Sequence, residues 1–325
     1  MTTDALPSVG TPQIAPLAAL DDAARSYAEA SRSKATRDAY GADWRDFSAW
    51  CQLLGATALP AAPSTLRQYF AQLAQRGVKA ATIARRVAAI SKAHQLAGVH
   101  PPPTREETVK ATLAGIRRTI GTAQASKAGI SIEELRRMVA ACDPASKAGL
   151  RDRALLVLAF AGAFRRSELV SLDVADVEQV PDGLRILVRR SKTDQEAAGK
   201  RKPLPYGSNP ATCPVRTLAA WLSAAEITEG PIFRSVNRHD QVQPGRLSDQ
   251  SVALVVKRAG ERAGLDPIRL AGHSLRRGFA TTAARRGVAD RTIMRHTWHR
   301  SRATLDAYIE AGTEFTDNAA SYVGL

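Results

Sequence analysis

The chain has 325 residues, enough for two compact domains, and carries a net charge of +15 with an isoelectric point near 10.3. That balance favours a polyanionic partner, and no polybasic amphipathic helix or long apolar run points to a membrane instead. Three scattered cysteines, Cys51, Cys142 and Cys213, show no Cys-x-x-Cys or Cys/His ligand spacing, which argues against both a disulfide framework and a zinc site.

Residues 1–16 are polar, proline-containing and non-periodic, as expected of a flexible arm, and lack a basic-then-apolar signal. A reduced, cytoplasmic setting is therefore the default. From Leu17 the pattern turns helical, with Leu20, Ala23, Ala24 and Tyr27 on one stripe before Ser31 and Ser33 interrupt it. A second helix is expected from Lys34 to Leu54, with Tyr40, Trp44, Phe47 and Cys51 on one buried face. Ser64 is placed to cap a third helix that runs through Tyr69 and Leu73 and stops near Gly77. A fourth runs from about Ala80 to Leu96, with Ile83, Val87, Ile90 and His94 inward.

The charge of this half is uneven. No acidic residue occurs between Phe47 and Arg105, while Arg67, Arg76, Lys79, Arg85, Arg86 and Lys92 accumulate. Arg85 and Lys92 are seven apart and share a helix face, with Lys79 and Arg86 beside them. A solvated basic face is the ordinary reading; the missing acids favour a phosphate-facing one.

Pro101 to Pro103 stop the fourth helix, and residues from Glu106 to Ile120 read as a connecting helix. Gly121 to Gly129 is a small, polar linker, and Ser131 with Glu134 can form a capping box that opens the second domain. Beyond it, Arg151 to Phe164 reads as a buried helix, with Arg165 at its end or in a tight bend. Leu184 to Val188 reads as a strand, and Lys202 to Pro205 as its returning partner, with Lys192 in the turn. Cys213-Pro214 opens a further helix through Trp221, and Val252 to Ala263 forms another. The expected fold is mainly α with a small antiparallel β segment (α+β): an arm over 1–16, a four-helix domain with linker over 17–126, and a second domain over 127–325.

Four separated motifs carry chemistry. The first is Arg165-Arg166-Ser167-Glu168-Leu169, and the second is Ser191-Lys192-Thr193-Asp194. His273-Ser274-Leu275-Arg276-Arg277 is the third, and its His273 and Arg276 are three apart, so they share a helix face. The fourth is Trp298-His299, which stands nine residues before Tyr308. An arginine pair, histidines and a phenol suggest attack on a phosphodiester. Taken in order, these motifs resemble the tyrosine recombinase (phage integrase) family, whose second domain is catalytic and whose N-terminal, SAM-like helical domain clamps DNA.

The resemblance implies a site-specific recombinase that cleaves and rejoins double-stranded DNA through a 3′-phosphotyrosine, in integration, excision or resolution. Arg165 and Arg276 would hold the non-bridging oxygens, with two fixed charges on the phosphorane. Lys192 would protonate the leaving 5′-oxygen, with Lys200 and Lys202 as competitors. His273 would serve as base or hydrogen-bond partner, His299 would bond the phosphate, and Tyr308 would be the nucleophile. Glu168 would position an arginine or histidine, while Lys79, Arg85, Arg86 and Lys92 would touch DNA. Plainer readings stand beside each role. Arg165 could simply pair with Glu168, Lys192 could be a solvated turn lysine, His296 could replace His299, and Tyr322 is a rival phenol. Arg166 leaves open which of two neighbouring arginines points inward, and Trp298 stands where the family commonly has glycine.

No cofactor or metal is implied. A homotetramer on two duplexes is, with residues from Thr313 to Leu325 packed on a neighbour and accessory DNA-bending proteins as possible partners. The same chemistry would suit a type IB topoisomerase-like nicking and closing enzyme, and a DNA-binding protein that has lost catalysis is the rival of another class.

Overall fold

The computed structural model describes residues 16–123, 127–191, 194, 198–299, 301–302, 305–306, 308–309 and 323. Contacts divide the chain into two units, Met1–Gln124 and Ala125–Leu325. The expected arm lies outside the described residues apart from Pro16. So do Lys192, Tyr322 and all of Thr313 to Leu325 except Val323.

The first unit contains α1 (Leu17–Ala30), α2 (Lys34–Leu53), α3 (Pro63–Gln75), α4 (Ala80–Leu96) and α5 (Glu107–Ile120). Helix α1 forms where expected, yet Leu20 and Tyr27 of its apolar stripe are exposed. Ser33 caps α2 by accepting the Thr36 N–H. Helix α3 starts two residues earlier than expected, behind Ala62, so Ser64 is not its cap. Pro63 takes the first helical position, where its missing N–H costs nothing and its fixed φ suits the helix.

Phe47 and Cys51 of α2, Leu66, Tyr69, Phe70 and Leu73 of α3, Ile83 and Ile90 of α4, and Val109 of α5 form one core. The segment expected only to connect domains is therefore a full member of this unit. His94 is buried as expected, and it is satisfied: Nε2 accepts the Ala61 N–H at 2.9 Å while Nδ1 donates to the Ile90 carbonyl at 2.9 Å.

In the second unit, α6 (Ile132–Ala140) opens with the expected box between Ser131 and Glu134. Helix α7 (Lys147–Ala161) is its centre. Leu155, Leu156 and Leu158 are fully buried on different sides of it, each contributing roughly 1.5–3 kcal/mol. It packs against α6, the short α8 (Arg166–Val170), α9 (Pro214–Ala224), α10 (Asp249–Arg262) and α11 (Ser274–Arg285). Pro214 opens α9 at its first helical position, as expected.

A three-stranded antiparallel sheet lies between α8 and α9 in the chain, in the order β1 (Val177–Val180), β2 (Gly183–Val188), β3 (Lys200–Pro205). Strand β1 and a second hairpin, β4 (Arg234–Val236) with β5 (Val242–Arg246), were not foreseen. Strands β1 and β4 are only four and three residues long, and Pro244 and Gly245 interrupt β5, so no period of two shows. Along β3 the side chains alternate, so Lys202 opposite Ile186 and Leu204 opposite Leu184 both point inward. Helix α12 (Asp290–Thr297) packs against α11.

Candidate active site

The site begins at the bend between α7 and α8. Ala163 is buried with φ at 45°, and Gly162 beside it lies so close to the Phe164 ring that a Cβ would collide with it. This reversal places Arg165 at the start of α8. Its Nη1 donates to Glu168 Oε1 at 2.6 Å, and its backbone N–H donates to Glu168 Oε2 at 2.9 Å. The pairing of Arg165 with Glu168 is thus real, and it is also how Glu168, 1% exposed, fixes the guanidinium. Arg166 turns elsewhere, 3.8 Å from Asp249 on α10.

Arg276 comes in from the first turn of α11 and is 5% exposed. Nη1 donates to the Ala163 carbonyl at 2.6 Å, and Nη2 donates to the Thr297 carbonyl and to Nε2 of His299 at 3.3 Å. One guanidinium therefore joins the α7–α8 bend to the end of α12. Burial first, then neighbouring Arg165, lowers its pKa to about 10, so it stays charged at neutral pH. His273 sits exposed immediately before α11, three residues from Arg276.

The end of α12 sets the two histidines apart. His296 Nε2 donates to the Ala161 carbonyl at 2.8 Å, and its ring stacks on Phe279 with centroids 4.6 Å apart. It is a strut in the core beneath the site. Trp298 then adopts φ 56°, ψ 41°, the left-handed turn that glycine takes most easily. Adopting it with a bulky L residue costs roughly 1–2 kcal/mol.

His299 follows, and its bonds fix its tautomer. Thr297 Oγ1 donates to the Ile293 carbonyl at 2.8 Å, so it must accept from Nδ1 of His299 at 2.7 Å. The proton is on Nδ1, and Nε2 turns its lone pair to Arg276. Burial, then Arg276, Arg165 and Lys202, push the pKa of His299 down to about 4.

Tyr308 lies beside this group, its ring centroid 5.8 Å from that of His299. It packs with Ala280, Ala284, Ile293 and Leu305, and the Arg277 guanidinium carbon is 5.2 Å from its ring centre. Arg277 also donates to the Lys127 carbonyl at 3.0 Å. Arg277 thus holds a backbone carbonyl and also places a cation over the phenol.

Of the residues singled out from sequence, the structure thus groups Arg165, Glu168, Arg276, His299 and Tyr308. Lys192 is outside the described residues. Its hairpin is closed by Asp194, which is buried and accepts the N–H groups of Ala198 and Gly199 at 3.2 and 2.9 Å. Of the competing lysines, Lys200 is exposed, whereas Lys202 is 2% exposed and donates to the His296 carbonyl. The alternation of β3 could have revealed it, since Leu204 two residues on is plainly apolar. Thr297 had no sequence signal. Among the described residues no three His, Cys, Asp or Glu side chains stand together as metal ligands, and no helix is long and apolar enough to cross a membrane.

In the first unit the four basic residues differ in kind. Arg85 makes a bidentate pair with buried Asp43, Nε to Oδ2 at 2.9 Å and Nη2 to Oδ1 at 3.0 Å. Arg86 pairs with Asp46 and touches the Tyr69 hydroxyl, which itself donates to Asp46 at 2.6 Å. Both acids lie just upstream of the acid-free stretch and return to it through α2–α4 packing. Lys79 is exposed at the start of α4, and Lys92 is half-buried further along it.

Two guanidiniums, an imidazole and a phenol around one point, in a mostly helical unit with small antiparallel sheets, are a set suited to phosphoryl transfer through a covalent tyrosine. Comparison with known proteins agrees. The phage integrase family pattern matches residues 130–314, and the phage integrase N-terminal SAM-like domain matches residues 27–98. An integrase/recombinase xerD homolog of Selenomonas ruminantium is 45% identical over 90% of this chain and 86% of its own. A tyrosine recombinase of Synechococcus elongatus is 30% identical over 99% and 100%. The crystal structure of a lambda integrase tetramer bound to a Holliday junction superposes with a TM-score of 0.61 at 16% identity, over 94% of this chain and 81% of that one. The chain belongs to the phage integrase family of tyrosine recombinases, site-specific enzymes that break and rejoin DNA.

Proposed function

We propose that Tyr308 Oη attacks the scissile phosphorus while the P–O5′ bond breaks, leaving a 3′-phosphotyrosyl link and a free 5′-hydroxyl. The observation that carries this is the placement of Arg276, whose bonds hold the bend before Arg165, the end of α12 and His299 around one point beside Tyr308. Arg165 and Arg276 bind the non-bridging oxygens, whose charge grows in the phosphorane. His273 takes or orients the phenol proton, and Lys192 gives a proton to the 5′-oxygen. Phosphodiester energy is kept in the tyrosyl link, so the reversal needs no ATP.

On this reading the substrate is a specific duplex site in the cytoplasm, met by the basic face of α4. The working assembly is a homotetramer on two duplexes, with accessory DNA-bending proteins as further partners. The lambda integrase tetramer on a Holliday junction supports such an assembly by likeness of fold.

The test is to incubate the full chain with sheared DNA of its host, trap covalent adducts and sequence the attached 3′ ends. A single recurring site, lost in Tyr308→Phe, is the expected result. Ends without any shared sequence would indicate a nicking and closing enzyme. Adducts that persist in Tyr308→Phe and vanish in Tyr322→Phe would move the nucleophile.

A further inference from the structure

A lysine that is 2% exposed needs a reason to be there. Lys202 points from β3 into the site rather than out to solvent. Its ammonium donates to the His296 carbonyl and lies 4.1 Å from the ring centre of Trp298 and 5.4 Å from that of Phe164. The charged groups that act on it are Arg165 and Glu168 at the start of α8 and Arg276 from α11, and the titratable ring of His296 on α12 lies beside it. Burial, then Arg276, lowers its pKa to about 7, with Glu168 opposing.

The contacts of Lys202 fall on either side of one peptide turn. His296 is the residue whose carbonyl it holds, Trp298 is the left-handed residue whose ring it faces, and His299 comes next. A glycine at 298 would adopt that turn freely; a tryptophan must be held in it. Arg276 secures the Thr297 carbonyl in the same turn, so a cation from the sheet and one from α11 grip adjacent peptides. We propose that Lys202 is a positioning residue for strand cleavage: it ties β3 to the turn that presents His299 to the scissile phosphate. This rests on the recombinase reading above. Lys202 itself touches no reacting atom. A movement of the β2–β3 hairpin would reach His299 through it, linking the segment that bears Lys192 to the phosphate site.

The test uses the full chain, a duplex made from the captured site, and two readouts. One is the long-range ¹⁵N spectrum of the histidine rings in the free protein; the other is single-turnover adduct formation with affinity measured separately. Lys202→Met keeps the length and loses the ammonium. It should bind DNA within about threefold of the parent, form adduct about 100-fold more slowly and shift the His299 ring signals. Lys202→Ala should regain more rate in propylamine, whose ammonium can both donate to the His296 carbonyl and face the Trp298 ring as a cation, than in propanol, whose hydroxyl supplies only the donor.

Parent-like rates in Lys202→Met, unchanged His299 signals, or equal rescue by amine and alcohol would each overturn the proposal. Unfolding of both variants would overturn it too, making Lys202 a folding residue. If the parent chain forms no adduct on any duplex, the recombinase reading fails by itself, and the His299 signals still decide whether Lys202 sets that turn.

Discussion

The guanidinium of Arg276 donates to the carbonyl of Ala163, 2.6 Å away and 113 residues earlier in the chain. Arg165 stands two residues beyond that carbonyl, so the separation of the two arginines proposed to hold the phosphate is set by the second one gripping the backbone before the first. Arg276→Ala should lower adduct formation by about 10²–10³-fold. It should also destabilise the catalytic unit, by about 1–3 kcal/mol for each carbonyl left without a donor. Arg276→Lys keeps a charge and loses the fork, so it should restore part of the stability and little of the rate. Urea unfolding beside single-turnover assays checks this; equal recovery of both would dissolve the link.

His299 makes a prediction about protons. In the free protein it is neutral at pH 7, with its lone pair on Nε2. To donate to a phosphate oxygen from Nε2 it must gain a proton, and the anionic phosphate raises its pKa. DNA binding at pH 6–7 should therefore take up about one proton, and affinity should rise as pH falls. Calorimetry in buffers of different ionisation enthalpy measures this. The same uptake in His299→Gln would assign the proton elsewhere.

His296 makes one about acid stability. Burial, then Lys202, pulls its pKa from 6.5 to about 4. Between those values the unfolded chain binds more protons than the folded one, so stability falls as pH drops from about 6.5 to 4. His299 contributes in the same direction. His296→Gln, which can still donate to the Ala161 carbonyl, should flatten the decline in urea midpoints over that window. An unchanged slope would place the acid lability in other groups.

The first unit divides its basic residues between two tasks. If Lys79 and Lys92 contact phosphates, each alanine variant should flatten the log–log salt slope of DNA binding by about 0.9, alike on specific and scrambled duplexes. Arg86→Ala should instead lower the melting temperature, because it leaves Asp46 and the Tyr69 hydroxyl without their cation. Arg85, half-exposed and bidentate on Asp43, should show both effects. A salt slope indifferent to Lys79 and Lys92 would remove α4 from the DNA.

What could be read from the sequence was local or periodic. The Ser131–Glu134 box, Pro214 at a helix start and the inward row of α4 each depend on residues a few places apart. Arg165, Arg276, His299 and Tyr308 were readable because their neighbours form a pattern that no single residue carries. The pairing of Asp43 with Arg85 was not, since 42 residues separate them and only packing of α2 on α4 joins them. Lys202 was half hidden: the alternation of β3 puts it on the same side as Leu204, but what lies over that side is set by the fold alone. The order of effects at Pro63 and Ser64 was a matter of competition, in which a proline outranked a good capping residue.

Trp298 also gives the site an optical signal. Its indole carries the Lys202 ammonium 4.1 Å from its ring centre and directly precedes His299, whereas the unit's other tryptophan, Trp221, is fully buried in the core and bonded to the Ile232 carbonyl. An ammonium held over an indole ring shifts its emission. The colour of Trp298 therefore follows the state of the turn, and stopped-flow fluorescence can time the arrival of DNA at His299 without an attached dye.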